Sequence, residues 1–250
     1  MLEKSMWSGS YERSAFPKYV CPRCERGRLI GGVADLSIKE PAFSKVLGDN
    51  PDWEPEWDTE RFSLTLTCDN QDCGEIALAI GDTNIVEYFE EEYQAWGTVA
   101  LLRPRSIYPA PKIIQVDEEV PENIKRELYK AFELFWVDFN ACANRLRVSV
   151  ELLLNHLKVP ATGVDKHGKT RNLDLNGRIS IFEQTTPEHA PTLTALRMIG
   201  NLGSHGSEVN REPLLDAFEI YEYSISELCS QRKSRLDQIR QKLIATKGQY

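Results

Sequence analysis

Three polar side chains recur at four-residue intervals within residues 196–206, LRMIGNLGSHG: Arg197, Asn201 and His205. On a continuous helix they share one face. An imidazole exchanges protons near neutral pH, a guanidinium suits phosphate, and an amide orients either, so the set is equipped for acid–base work on a phosphoryl group. A polar cluster at a glycine-rich helix end also serves as a cap, a turn or a buried hydrogen-bond network, and spacing alone leaves both readings open. A second group has a different chemistry. Cys21 and Cys24 stand in a C-x2-C pair, and Cys68 and Cys73 in a C-x4-C pair far along the chain. Two close pairs separated by a long insert match a four-cysteine zinc ribbon, each pair on a tight turn and the thiolates closing a tetrahedron. With all positions taken by sulfur no coordination site stays open, so one structural Zn2+ per chain is expected.

Composition limits what surrounds these groups. Across 250 residues, 41% are hydrophobic and 27% charged, which is ordinary globular usage and enough for two modest domains with real cores. The formal net charge of −8 argues against broad, charge-driven attraction to nucleic acid or anionic membranes and confines any such contact to a local patch. No apolar run is long enough to cross a membrane, and the opening residues lack the apolar core of a signal peptide, so a cytoplasmic protein with reduced thiols is expected. Cys142 and Cys229 lie in helical apolar patterns and read as small core residues.

The elements that must position the two groups change in period along the chain. After an aperiodic N-terminal arm, residues 1–16, strand patterns occupy 28–38, 61–67, 75–80, 85–89 and 98–102, with Leu64 and Leu66 alternating against Ser63, Thr65 and Thr67. The proline-rich, acidic stretch 40–60 reads as a long loop. Residues 17–112 therefore form a small antiparallel β zinc-ribbon domain, which would draw much of its folding free energy from the metal. Prolines over 103–111 mark the boundary, beyond which the period becomes helical. Residues 113–250 then read as an all-α bundle of about five helices, making the fold class α+β. Its second helix, 139–157, buries a stripe from Phe139 to Leu157 and pairs Arg147 with Glu151 at i,i+4. Its last helix runs from 212 to about 242, and the charged end is suited to a partner helix. His156, His167 and His189 read as solvated or turn residues.

Arg197-x-Ile199-Gly200-Asn201-x-x-x-His205, the preceding arginine-rich helix from Asn144 to Glu151, and the helix after Val120-Pro121 resemble one bacterial family over roughly residues 17–245. This is domain of unknown function 4145, similar to a branch of the HEPN helical superfamily, whose members often carry an N-terminal zinc ribbon. The resemblance implies a homodimer of helical bundles, with RNA or a nucleotide as ligand or a protein effector as partner, in phage defence or stress response. In that superfamily paired Arg-plus-His motifs often form a metal-independent ribonuclease. The resemblance would make His205 the acid/base, with Arg197 and Asn201 stabilising the phosphate. The ribonuclease motif places arginine directly before Asn-x-x-x-His, where this chain has Gly200. Two functions follow: a zinc-containing dimeric binding and regulatory module in which the cluster is structural or ligand-binding, or an endoribonuclease.

Overall fold

The computed structural model describes residues 2–91, 94–164, 168–204, 208–230 and 232–249, of which the side chains of Ser204 and 232–234 are left aside. The chain divides into two compact units. One comprises Glu3–Lys112 with Phe132–Val137, and the other chiefly Ile113–Ala131 with Asp138–Tyr250.

The first unit is built on an antiparallel sheet of β1 (Leu29–Ile30), β2 (Leu36–Lys39), β3 (Arg61–Cys68), β4 (Ile76–Glu90) and β5 (Ala95–Tyr108). β1 and β2 pair in succession with β3, which pairs with β4, and β4 with β5. The expected alternation holds: Phe62, Leu64, Leu66 and Cys68 of β3 are buried while their neighbours face outward. The strand at 28–38 is instead two short strands with a 3-10 turn at Val33–Asp35 between them, and at Gly31 a Cβ would meet the Thr65 carbonyl at 2.5 Å. Conversely, 75–80 and 85–89 are one strand. The turn-like Gly-Asp-Thr-Asn between them is accommodated by a register shift at Ile80/Gly81, where only a glycine fits beside the Arg103 carbonyl. β5 likewise runs on through Pro104 to Tyr108. Within the expected loop 40–60 lies a short helix α1 (Ala42–Gly48). The N-terminal arm is no loose tail: Trp7, Tyr11 and Phe16 are buried, and Trp7 packs edge-on to Phe135 at 5.7 Å and against Tyr19 at 5.0 Å.

The second unit carries α2 (Glu122–Leu134, which it holds as far as Ala131), α3 (Phe139–His156), α4 (Leu175–Glu183), α5 (Ala190–Ser204), α6 (Arg211–Cys229) and α7 (Arg232–Ala245), with a small hairpin of β6 (Thr162–Val164) and β7 (Thr170–Asn172). Asp138 and Asp174 cap α3 and α4 by accepting bonds from the amides of Ala141 (3.0 Å) and Gly177 (2.7 Å). The core takes Ile124 and Leu128, the α3 stripe Cys142, Leu146, Val150 and Leu153, and Leu193, Leu196, Phe218 and Ile225 from the later helices. The single last helix expected over 212–242 is two helices: α6 ends at Cys229, Ser230 is extended, and α7 begins at Arg232. Among the described residues no helix is long and apolar enough to cross a membrane.

Candidate metal centre and helical groove

The four cysteines expected to act together are brought together: the sulfurs of Cys21, Cys24, Cys68 and Cys73 lie within 4.8 Å of one another. Cys21 and Cys24 precede a turn in which the Glu25 amide donates to the Cys21 carbonyl (3.0 Å) and the Cys21 amide to the Gly27 carbonyl (2.9 Å). Cys68 ends β3, and the Cys73 and Gly74 amides both donate to the Asn70 carbonyl (2.9 and 3.0 Å). Each turn closes through a left-handed residue, Glu25 at φ 55° and Gly74 at φ 58°. The backbone also approaches the sulfurs closely: a Cβ on Gly27 would lie 2.5 Å from the Cys68 sulfur, so no larger residue fits.

The distances discriminate between chemistries. Cys21 and Cys73 are 3.8 Å apart and Cys24 and Cys68 3.7 Å, far beyond a disulfide bond of about 2.05 Å. A tetrahedral ion with metal–sulfur bonds of about 2.3 Å requires sulfur–sulfur edges of about 3.8 Å, which these pairs meet. Two donors steady the Cys24 sulfur, the Gly27 amide at 3.4 Å and the Asn70 side-chain amide at 3.8 Å. Backbone hydrogen bonds from Gly27 and then Arg26 bring the Cys24 thiol down to about 6. Burial pushes Cys68 up to about 12 despite the Asn70 amide. At Cys73 the Glu75 amide lowers the pKa, but burial and the Cys24 and Cys21 sulfurs outweigh it and leave the thiol raised. Crowded, partly buried sulfurs cannot all ionise without a cation among them, and a soft divalent ion resolves that conflict. The donor set, its edges and its turns therefore fit a metal ion. Gly27 and Asn70 were not singled out as site residues, although a glycine three positions after the second cysteine of a knuckle is a usable signal.

The other candidate group is divided. Arg197 and Asn201 lie on α5, both half-buried, and line the same groove between α5 and α6. His205 and His167 lie outside the described residues. The groove has a volume of about 620 Å3 and is walled mainly by Met198, Leu202, Pro213, Ala217 and Ile220, with Asp216 as its acidic member. Among the described residues the buried Arg197 Nε has no hydrogen-bond partner. Gly200 turns the other way: a Cβ there would stand 2.5 Å from the Arg147 Cβ and 3.1 Å from the Ala143 carbonyl. A Cβ on Gly203 would meet the Asn140 carbonyl at 2.5 Å, so both glycines serve the close packing of α5 on α3. An arginine at position 200 would have no room in this packing.

The neighbouring charges have structural partners. Arg147 pairs with Glu151 at 3.1 Å, as its i,i+4 spacing implies. Arg145 reaches the buried Glu127 of α2 at 3.0 Å, and Lys130 joins it at 3.2 Å. Arg178, buried, donates to the Asn155 side-chain oxygen (2.8 Å) and the Val159 carbonyl (3.0 Å), closing the end of α3. His156 is exposed, whereas His189, in the turn before α5, is buried with its Nδ1 3.2 Å from the Ser224 hydroxyl. Cys142 and Cys229 are both buried, and burial raises both thiols.

No curated protein and no solved structure matches the chain. Residues 9–100, which contain the cysteine cluster, match the family model described as a domain of unknown function, DUF8608. Residues 129–242, which contain Arg197, Asn201 and the α5–α6 groove, match the family model described as a domain of unknown function, DUF4145.

Proposed function

We propose that this chain is a metal-stapled binding module: its N-terminal unit is a zinc ribbon closed by Cys21, Cys24, Cys68 and Cys73, and its HEPN-like helical unit pairs with a second copy. The zinc would supply a cross-link rather than a reaction centre, since four thiolates leave no position for water or substrate. The α5–α6 groove is the binding site, serving a nucleotide, RNA or protein effector in a bacterial defence or stress system. The observation that carries this reading is the groove's lining. Its walls are apolar, with Arg197, Asn201 and Asp216 as the few polar groups, which is the make-up of a site that captures and orients. The packing of Gly200 against α3 supports the same reading, because it removes the position from which the ribonuclease motif's arginine would act.

Ribonuclease activity is the second reading, favoured by Arg197 and Asn201 sharing one helix face and one groove. His205 would then accept or donate the proton as a 2′-hydroxyl attacks the adjacent phosphate, while Arg197 and Asn201 meet the developing negative charge. Incubating labelled single-stranded RNA in chelator with the wild type, Arg197→Ala and His205→Ala decides between them. Binding predicts intact RNA throughout. Cleavage by the wild type that is lost in both variants replaces the binding reading with the enzymatic one.

A further inference from the structure

α7 is a helix without a buried side. None of its described side chains is buried, and Leu236, Ile239 and Leu243, spaced at three and four residues, are 48%, 41% and 41% exposed. At 14 residues such a helix is marginal in water on its own, so a stripe of this kind calls for a partner surface. The helical period sets Arg235 and Lys242 along one border of the stripe and Arg240 along the other. Over its length α7 has five Arg and Lys against a single Asp, although the whole chain is acidic. Its partner is therefore apolar along the middle and acidic at the edge.

The α5–α6 groove has that description. Met198, Leu202 and Ile220 are 58%, 47% and 39% exposed along it, with Tyr223 at 65% just beyond. On α6 Asp216 lines the groove and Glu212 stands one turn before it, while Glu219 and Glu222 accept bonds from the Leu2 and Gln115 amides, and Arg211 is the helix's only base. Resting on the reading of the groove as the binding site, and naming its occupant, we propose that the groove of one copy receives α7 of a second copy.

Charge decides among the partners. Two α7 helices packed on each other would bring like charges together, whereas the α6 border offers opposite ones. A nucleic acid would leave the apolar stripe between the basic borders unused. The chain's own α7 does not fill the groove, since both surfaces are exposed within one copy. Reciprocal exchange closes a two-fold dimer, and its seven half-exposed apolar side chains per contact, counted twice, remove on the order of 1,500 Å2 from water, within the range of stable complexes. In the dimer α7 covers Arg197 and Asn201, so any ligand of the groove competes with it.

The test is sedimentation velocity of the full chain over a concentration series. The wild type dimerises, while Arg235→Glu/Lys242→Glu in α7 and Glu212→Lys/Asp216→Lys in α6 each weaken the dimer by about 100-fold or more. Mixed together, the two variants restore it, since each contact in the mixed pair again joins opposite charges. Leu236→Asp/Leu243→Asp gives a monomer that no charge variant rescues. A monomeric wild type, an indifferent α7 reversal, or failure of the mixture to pair overturns the exchange and leaves the groove reading to the RNA experiment above. A dimer lost on α7 reversal but indifferent to both Asp216→Lys and Ile220→Asp overturns the exchange and the groove reading together. Binding to vesicles containing phosphatidylserine by a chain that stays monomeric in solution overturns the exchange in favour of a membrane surface.

Discussion

Replacing Gly200 by alanine adds one methyl group in the middle of α5, where helix propensity alone favours alanine by about 1 kcal/mol. The added Cβ would stand 2.5 Å from the Arg147 Cβ and 3.1 Å from the Ala143 carbonyl. Neither neighbour can swing away, because one is fixed to the α3 backbone and the other is part of it. The helices must separate, at an overpacking cost of about 1–3 kcal/mol that exceeds the propensity gain. The expected net loss is about 1 kcal/mol, which lowers the unfolding midpoint of the helical unit by about 2–8 °C. Gly48→Ala is the control. Gly48 closes α1 with nothing within 4 Å of its missing Cβ, so alanine there is expected to stabilise by about 0.5–1 kcal/mol. Thermal unfolding followed by circular dichroism compares the two. A Gly200→Ala chain that melts at or above the wild type would refute the reasoning that this glycine exists for helix contact.

Other expected outcomes concern the buried charges of the helical unit. Burial opposes ionisation of Glu127, but hydrogen bonds from Lys130 and Arg145 outweigh it and hold its carboxyl below the usual range. A carboxyl depressed on folding contributes stability that is fully present above its unfolded pKa of about 4.3 and lost as pH falls through the lower folded value. Glu127→Gln should therefore flatten the acid limb of a denaturant-midpoint series against pH and cost about 1–3 kcal/mol at neutral pH; an unchanged limb contradicts the assignment. Arg178→Leu removes the donors to Asn155 and Val159, and about 2–3 kcal/mol in urea unfolding is expected, whereas a loss within error would mean α3 ends stably without them.

The cysteine group was legible because its chemistry is local: two short spacings specify two turns, and four thiols in a chain with a reducing expectation leave few alternatives. The length of β4 was not. Gly81-Asp82-Thr83-Asn84 has the composition of a turn, and only pairing with β5, which tolerates the shift at Gly81, carries the strand through it. The end of α6 was equally hidden, since neither Gly nor Pro stands near Ser230 to announce it. For the groove, the four-residue rhythm correctly placed Arg197 and Asn201 on one face, but Met198 and Ile220 meet there from helices separated in sequence, a relation no local pattern encodes. Gly200 shows the same limit. Its position in the motif marks a departure from the ribonuclease pattern, while the reason, the α3 backbone beside it, is tertiary.

The proposed metal staple of the N-terminal unit can be measured directly. Metal content of the full chain combined with X-ray absorption at the zinc edge should give one zinc per chain with four sulfur ligands at about 2.3 Å, lost in Cys68→Ser together with the cooperative unfolding of the β unit. A folded chain without metal, or one whose coordination shell includes oxygen or nitrogen donors in place of sulfur, would contradict it.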